Sequence, residues 1–218
     1  MRMKTEQIDV NQNFSQVIRE RHSVRNYDPN FKLSREEITE LLNDAILAPS
    51  ASNLQPWRFL VIDDQERKQA LHPVAFNQQQ ILDSSAVIAV LADLDAYKQA
   101  ETIYGRAVEA GYMTEETKTR FVTNLTTGYA ADPNVYREIA KVDGGLVSMQ
   151  LMLAATAKGY STVPMGGYNA AQFIELFNLP SNLLPVMLIA VGKAAVPAHP
   201  TVRLSVDEVT FWNNVDNN

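Results

Sequence analysis

The chain of 218 residues has no cysteine and only three histidines, and these absences narrow the chemistry open to its side chains. Without cysteine there is no disulfide, no thiolate nucleophile and no cysteine-based metal site. The histidines, His22, His72 and His199, are far apart in the sequence, and no H-E-x-x-H motif is present. We therefore expect no metal centre.

Other motifs and segment types are missing as well. The nine glycines form neither G-x-G-x-x-G nor G-x-x-x-x-G-K-[ST], and the absence of G-x-S-x-G leaves hydrolysis without support. The longest apolar run, 86–92, is far shorter than the roughly 18–20 residues that span a bilayer. The N-terminus lacks the apolar core of a secretory signal. A net charge of −6 argues against nucleic acid as a partner. The sequence predicts a cytoplasmic protein without a membrane partner.

The hydrophobic pattern predicts an α+β fold with a central, mostly antiparallel sheet of few strands surrounded by helices. Strands are expected at 57–62, 86–92 and 184–191, and the second is apolar throughout, as in a strand covered on both faces. Length and composition favour one domain over 1–218, with a polar, flexible arm over 1–12. Helices are predicted at 14–21, 34–49, 65–80 with a break at Pro73, 96–110 capped by Asp95, 115–127, 133–159 and from 169 onward.

The helix from Pro133 to Gly159 is longer than a domain of this size needs internally. Asp132 precedes Pro133, a pairing typical of a helix start. Gly144 and Gly145 lie in its middle, where each glycine costs about 1 kcal/mol relative to alanine. Close approach of a second helix, as at a subunit interface, accounts for them, and a local break in the helix is the alternative. The apolar tail, 193–218, is expected to pack on a partner subunit.

A polar loop, 50–56, joins the second helix to the first strand with the sequence S-A-S-N-L-Q-P. Serine, asparagine and glutamine hydrogen-bond in fixed directions, and a loop on a rigid frame is a common place to hold a ligand. An ordinary connector rich in turn-forming residues is the alternative interpretation.

A second candidate is the segment R-H-S-V-R-N-Y, residues 21–27. In an extended segment Arg21, Ser23 and Arg25 face the same way, so two guanidinium groups and a hydroxyl converge. Such a set suits a phosphate or another electron-rich edge, although most arginines are simply solvated.

Taken together, R-x-S-x-R-x-Y, the helix that follows it and P-S-x-x-N-x-Q-P-W resemble the FMN-dependent nitroreductase family in order, spacing and length, from about Phe14 to Trp212. The resemblance implies a homodimeric flavoprotein in which NADH or NADPH reduces nitroaromatics, quinones or similar small-molecule acceptors. Ene reduction, dehalogenation or flavin breakdown in the same fold, and a non-catalytic flavin-binding or regulatory protein, are the alternatives.

The resemblance also implies which residues line the FMN. No catalytic acid or base is expected, because the flavin carries the chemistry. Arg21 and Arg203 are implied near the phosphate, and Arg25 near the pyrimidine edge of the ring, where we expect it to tune the potential. The loop 50–55 is implied to reach the flavin from the partner subunit. The full implied set is Arg21, His22, Ser23, Arg25, Pro49, Ser50, Ser52, Asn53, Gln55, Asn77, Gln80, Pro164, Met165, Gly166, Gly167 and Arg203.

Three positions depart from the family pattern. Gln80 replaces a lysine of several members, Gly166 replaces an acidic residue of some, and Thr201 replaces a basic residue two positions before Arg203. We expect these departures to affect redox tuning and substrate choice more than FMN binding.

Overall fold

The computed structural model describes residues 14–215, so the predicted arm over 1–12 lies outside the described residues. Within that range the chain forms eight α-helices and four strands. In chain order they are α1 (Phe14–Glu20), α2 (Arg35–Ala45), β1 (Trp57–Ile62), α3 (Gln65–Val74), α4 (Gln80–Asp83), β2 (Ala86–Asp93), α5 (Ala100–Glu109), α6 (Glu115–Ala131), α7 (Pro133–Ala157), β3 (Ser161–Met165), α8 (Ala170–Phe177) and β4 (Leu183–Gly192).

The four strands form one antiparallel sheet in the order β1-β2-β4-β3. This confirms the predicted α+β class and the small antiparallel sheet. β2 and β4 lie in the centre, and every residue of β2 is buried, as its unbroken apolar sequence predicted. Helices α2 and α7 cover one face of the sheet. Helices α3, α4 and α8 cover the other.

One strand was missed from the sequence. Residues 163–167 were expected to form a tight turn, but Val163, Pro164 and Met165 belong to β3, and only Gly166 and Gly167 follow the strand. Proline cannot donate a hydrogen bond to a neighbouring strand, so its presence argued against a strand. β3 tolerates Pro164 because it lies at the edge of the sheet and pairs with β4 on one side.

Several helix boundaries also differ from the prediction. The capping box at the start of α2 is present, with the Ser34 hydroxyl accepting from Glu37 N and the Glu37 carboxylate accepting from Ser34 N. However, α2 ends at Ala45 and not at Pro49. Helix α3 continues through Pro73 to Val74, because a proline near the last turn breaks few hydrogen bonds.

Three further predictions for helices were wrong in detail. Asn77 lies in the loop before α4, where its φ of 55° is left-handed, and so is not helical. Asp95 makes no capping hydrogen bond, and the turn it precedes, Ala96–Gln99, is a 3-10 helix that leads into α5. Helix α6 ends at Ala131, four residues beyond the predicted Thr127.

The middle of α7 approaches β4 closely. Between β2 and β4 the pairing passes from Val90–Met187 to Leu91–Pro185, so Val186 bulges out of the register, and the bulge accommodates a proline inside a central strand. A methyl group on Gly144 would lie 3.0 Å from Cγ1 of Val186. The 25-residue helix is continuous, so the alternative of a local break is wrong. At Gly144 the close approach is to a strand of the sheet and not to a second helix, so the expected helix–helix contact at a subunit interface stays a prediction.

The opposite face of α7 is apolar, and none of the residues 14–215 covers it. We call it the outward stripe; its members are Val135, Ile139, Val142, Leu146, Met149 and Leu153, which are exposed or half-buried. The side chain of Val142 is 64% exposed. The tail is exposed as well, with Val202 at 95% and Trp212 at 83%. An α-helix that is apolar on two sides needs a second partner to cover the second side.

We predict that Gly144→Ala destabilises the fold although alanine is the better helix former. The added methyl group meets Val186 in a packed region, and such overpacking typically costs about 1–3 kcal/mol, against a helix-propensity gain of about 1 kcal/mol. The matched control is Gly128→Ala in α6, where a methyl group would meet no atom within 4 Å. Urea unfolding should place Gly144→Ala below Gly128→Ala by about 1–3 kcal/mol; equal free energies of unfolding would contradict the close approach.

Candidate functional site

Residues 21–27, which we call the arginine segment, lie beside the start of β3. Ser23 forms a parallel bridge with Thr162, and Val24 N donates to Thr162 O at 3.0 Å. Val24 and Tyr27 are buried and fix the segment against the sheet, whereas Ser23 is half-buried and Arg25 is exposed. The segment therefore holds its two apolar side chains inside and leaves its polar side chains available to a ligand.

The segment also fixes the first residues of the tail. Tyr27 bridges Ala194, and Ala195 N donates to Asn26 O at 2.9 Å. Residues 196–199 then line a small recess together with residues 23–26. A cleft of about 450 Å³ on the same side is lined by Arg19, His22 and Tyr160, among others. His22 lies half-buried there, with Nδ1 2.8 Å from Glu20 O.

A second group of predicted residues meets at the other end of β3. Gln80 is buried, and its amide nitrogen lies 3.5 Å from the sulfur of Met165. The same nitrogen donates to Gln78 Oε1, and Gln78 Nε2 donates to Gly167 O at 2.8 Å. Gln78 was missed from the sequence, although it lies two residues before Gln80 in a run of three glutamines. These side-chain amides connect the loop before α4 to Gly166 and Gly167, which we call the glycine turn.

The loop before α4 has an unusual backbone. Phe76 and Asn77 both have positive φ, at 54° and 55°, and Phe76 is 65% exposed. Few non-glycine residues adopt this conformation, and they concentrate at ligand sites. Phe76 lies against Gly167, where a methyl group on the glycine would be 3.9 Å from the phenyl ring. Sequence patterns carry no signal for such dihedral angles, so Phe76 was missed.

A buried lysine, Lys68, forms hydrogen bonds with the C-terminal end of α4. Lys68 is fully buried, and its ammonium group donates to the carbonyl oxygens of Leu82 at 3.1 Å and Ser84 at 2.7 Å. Burial lowers the pKa of Lys68 to about 8, with the nearby Lys32 acting in the same direction. Lys68 thereby satisfies carbonyls at the C-terminal end of α4, the short helix that begins with Gln80.

The polar loop lies at the opposite edge of the sheet, before β1. Ser52, Asn53 and Gln55 all have positive φ, between 48° and 52°. Gln55 N donates to the Ser50 hydroxyl at 3.0 Å, which closes the loop on itself. Arg58 donates to Gln55 O and pairs with Asp93 at 2.7 Å. Pro49, Ser52 and Asn53 are exposed, and Ser50 and Gln55 are half-buried.

Two residues from distant helices also hold this loop, and neither was identified from the sequence. Ala51 N donates to both carboxylate oxygens of Asp143, at 3.1 and 3.2 Å. The Tyr104 hydroxyl donates to Ser52 O at 2.7 Å. An aspartate in a long apolar helix and a tyrosine in a surface helix have no sequence signature that connects them to a loop 50 or more residues away.

The predicted residues therefore form two groups within one chain. The arginine segment, Gln80, Asn77 and the end of β3 share one edge of the sheet, and the loop 50–55 lies at the other edge. β2 and β4 lie between β1 and β3, so three intervals of about 4.8 Å separate the two edge strands by roughly 14 Å. Within one chain the sheet holds the loop apart from the arginine segment.

Arg203 lies in the exposed tail. Its guanidinium group donates to Thr201 Oγ1 and Val202 O, both at 2.8 Å. Among the described residues no hydrogen bond or ion pair joins Arg203 to the arginine segment, so its predicted place near a phosphate stays a prediction. Thr201, which was noted as a departure, orients the guanidinium group.

Residues 14–215 contain neither a candidate metal cluster nor a candidate membrane-spanning helix. No three His, Asp or Glu side chains lie close enough together to hold a metal ion. No helix in this range is both long enough and apolar enough to cross a bilayer.

Comparison with known proteins gives consistent matches over most of the chain. The family model described as "Nitroreductase family" matches residues 18–193. YdgI of Bacillus subtilis, provisionally named an NAD(P)H nitroreductase, is 50% identical over 91% of this chain and 97% of its own length. A crystal structure from Exiguobacterium sibiricum, described as a nitroreductase in complex with FMN, superposes with a TM-score of 0.89 at 45% identity, covering 95% of this chain and all of that one. An enone reductase of Lactiplantibacillus plantarum is 34% identical over 88% of this chain and 91% of its own length.

Proposed function

This chain belongs to the nitroreductase family, and we propose that it is an FMN-dependent oxidoreductase that uses NADH or NADPH to reduce nitroaromatics, quinones or similar small molecules. Bound FMN would supply the redox chemistry that links the nicotinamide to the acceptor. The chain's own residues bind the cofactor, orient it and set its electrostatic surroundings. The expectation of a cytoplasmic location stays a prediction.

The observation that carries this proposal is the arrangement along β3. Ser23 of the arginine segment lies beside Thr162, and Gly166 and Gly167 follow the other end of the strand. Gly167 lies five positions after Thr162, which at about 3.3 Å per residue is roughly 16 Å. This length suits a tricyclic ring that carries a five-carbon phosphate arm. Because the bridge is parallel, the chain runs from Arg21 toward Arg25 in the same direction as β3 runs toward its glycines.

The glycine turn fits a flat ring. A methyl group on Gly166 would meet no atom of residues 14–215 within 4 Å, and one on Gly167 would make only an ordinary contact with Phe76. Neither glycine has a positive φ. Internal packing and backbone conformation therefore do not require glycine here, whereas a ring lying directly on the backbone does.

We propose roles for the binding residues on this basis. Arg21 and Arg203 serve the phosphate, with Ser23 and His22 along the arm of the cofactor. Arg25, Asn77 and Gln80 face the edge of the ring, and Pro164, Met165, Gly166 and Gly167 lie beneath it. Arg25 supplies positive charge near the ring, which matters more in this chain because Gln80 is neutral.

We further propose that the active protein is a homodimer. The outward stripe of α7 and the exposed apolar tail are surfaces that the described part of one chain leaves uncovered. A second copy also solves the separation of the site residues, because the loop 50–55 of one subunit can complete the site at β3 of its partner. Obligate interfaces commonly bury roughly 2,000–5,000 Å².

Reduction of an activated alkene is the second candidate activity. The enone reductase of Lactiplantibacillus plantarum covers nearly the same span of this chain. A crystal structure described as an enone reductase superposes with a TM-score of 0.84 at 32% identity. The cofactor and reductant are the same in both proposals, and only the acceptor differs.

The proposal predicts that the purified protein carries a yellow chromophore with flavin absorbance, which bleaches on anaerobic addition of NADH or NADPH. A panel of a nitroaromatic, a quinone and an α,β-unsaturated ketone then ranks the acceptors by kcat/KM. A protein that binds FMN but is not reduced by either nicotinamide would be a flavin-binding protein, contrary to the proposal. A preference for the ketone would favour the second candidate.

The two proposed arginine roles predict different defects. Arg203→Ala should weaken FMN binding roughly ten- to a hundredfold, because a charge-assisted hydrogen bond contributes about 1.5–3 kcal/mol, and should leave the potential of the bound flavin unchanged. Arg25→Ala should lower the two-electron potential by roughly 30–65 mV, since a cation beside the ring stabilises its more negative, reduced state. Fluorescence titration and spectroelectrochemistry measure the two effects.

Arg67→Ala, on the exposed surface of α3, is the control for the loss of one positive charge. It should change neither affinity nor potential. If Arg203→Ala binds FMN as tightly as the control, the phosphate role is wrong. If Arg25→Ala keeps its potential within about 10 mV, a small shift on the scale above, the tuning role is wrong.

The dimer proposal predicts that Leu146→Glu promotes dissociation. Leu146 lies in the middle of the outward stripe, and a glutamate buried there without a partner would raise the dimer Kd at least about tenfold. Ile174→Glu in α8, an equally apolar and exposed position outside the stripe, is the control. Equilibrium sedimentation at sub-micromolar concentration measures both. A wild-type protein that is a flavin-loaded, active monomer there would exclude the homodimer.

A further inference from the structure

The loop Ala51–Gln55 is held in a conformation that its own sequence does not favour. Three of its five residues have positive φ, and none of them is glycine. Such residues are strained and persist only where the surroundings determine them. The contacts that hold this loop in its conformation therefore have to come from other parts of the chain.

Asp143 of α7 is one of the groups that determines it. The residue is only 3% exposed, and both carboxylate oxygens accept from Ala51 N. No lysine, arginine or histidine of the described residues pairs with it, and burial raises the pKa of its carboxyl group. A buried carboxylate without a cation is expensive, so it is retained at a cost to the fold. Its single described partner is the loop.

Tyr104 of α5 holds the next residue. Its hydroxyl donates to Ser52 O at 2.7 Å, the carbonyl of the first residue with positive φ. Its ring packs among Leu54, Tyr136 and other residues of the cluster between α5 and α7. Leu54, which is 2% exposed, anchors the loop in the same cluster.

Asp143 and Tyr104, which we call the two clamps, both form hydrogen bonds with the backbone of the loop. They therefore leave the side chains of the loop available to a ligand. Asp143 binds an amide and Tyr104 binds a carbonyl, while Ser52 and Asn53 remain exposed. The two clamps come from different helices, α7 and α5, so the loop is fixed between two elements rather than by its neighbours alone. The same α7 carries the outward stripe on its other side.

We propose that Asp143 and Tyr104 are positioning residues that hold the Ala51–Gln55 loop of one subunit in the conformation in which Ser52 and Asn53 meet the flavin of the partner subunit. The inference rests on the proposed function and adds two residues to it that touch no flavin. It implies that damage to Asp143 in one subunit impairs the flavin site at the β3 of the other.

The first test separates positioning from general stability in the apoprotein. Asp143→Ala and Tyr104→Phe should increase amide hydrogen exchange at Ala51–Gln55 at least about tenfold, because each change removes a hydrogen bond that restrains the loop. Ser148→Ala on the buried face of α7 and Tyr129→Phe in the aromatic cluster are matched controls, since neither residue contacts the loop through a hydrogen bond. Asp143→Asn keeps one acceptor oxygen, so the amide exchange rate of the loop should lie between those of the wild type and Asp143→Ala. This variant replaces Asp143→Ala in the test if the alanine variant does not fold.

The second test measures flavin affinity by fluorescence titration. Asp143→Ala should raise the Kd for FMN roughly ten- to a hundredfold and Tyr104→Phe roughly two- to tenfold, with both controls at the wild-type value. Wild-type affinity in both variants, or weakened affinity without faster exchange in the loop, would overturn the positioning role. A wild-type protein that binds no flavin would instead overturn the proposed function, while the exchange rates would still report on the clamps.

The third test uses a mixed dimer with differently tagged chains, one carrying Asp143→Ala and the other Arg21→Ala. If the loop acts on the partner's flavin, the loop altered by Asp143→Ala belongs to the flavin site that already carries Arg21→Ala. Both substitutions then affect that one site, and the other site has an unaltered loop and an unaltered Arg21. The mixed dimer should then bind one FMN with wild-type affinity, whereas each homodimer binds weakly at both sites. Two weakened sites in the mixed dimer would show that the loop serves its own subunit and would overturn the inference.

Discussion

The close packing of α7 on the β4 bulge is the constraint from which the candidate site follows. Gly144 allows the helix to lie against Val186, and this contact fixes the rotation of all 25 residues of α7. Asp143, the preceding residue, is thereby directed into the chain toward the loop before β1. Val142, one residue earlier, is directed outward. Three consecutive residues of one helix therefore connect the core, the polar loop and the uncovered surface.

The topology of the sheet separates the two groups of residues that we propose to bind the flavin. β1 and β3 are the two edges, and each carries part of the predicted binding set. The arginine segment and the glycine turn are joined through β3, and the loop is joined to β1. β2, which is buried throughout, and β4, whose second half is buried, lie between the two groups. Our proposal that both groups serve one flavin therefore needs two chains, and the outward stripe of α7 is the surface on which we propose that they associate.

Sequence patterns predicted those features that depend on local chemistry. The capping box of α2, the buried strand β2 and the Asp132–Pro133 start of α7 all follow from residues adjacent in the chain. The convergence of the arginine segment on a ligand stays a prediction. β3 was missed because Pro164 opposes a strand unless the strand lies at an edge, which is a property of the whole sheet. Asp143 and Tyr104 were missed because their importance comes from tertiary contacts with a distant loop.

Several costly features of this fold lie at the candidate site. The two apolar faces of the sheet are well packed, and local preferences agree with the structure there. Two positive φ values lie elsewhere, at Asn178, which ends α8, and at Asn213 in the tail. The other costly features are the positive φ values of Ser52, Asn53, Gln55, Phe76 and Asn77, the carboxylate of Asp143, which has no cationic partner among the described residues, and the buried ammonium of Lys68. Each borders a group that we propose to hold the flavin. Because natural sequences depart from local consistency chiefly where function requires it, this distribution supports the site independently of sequence similarity.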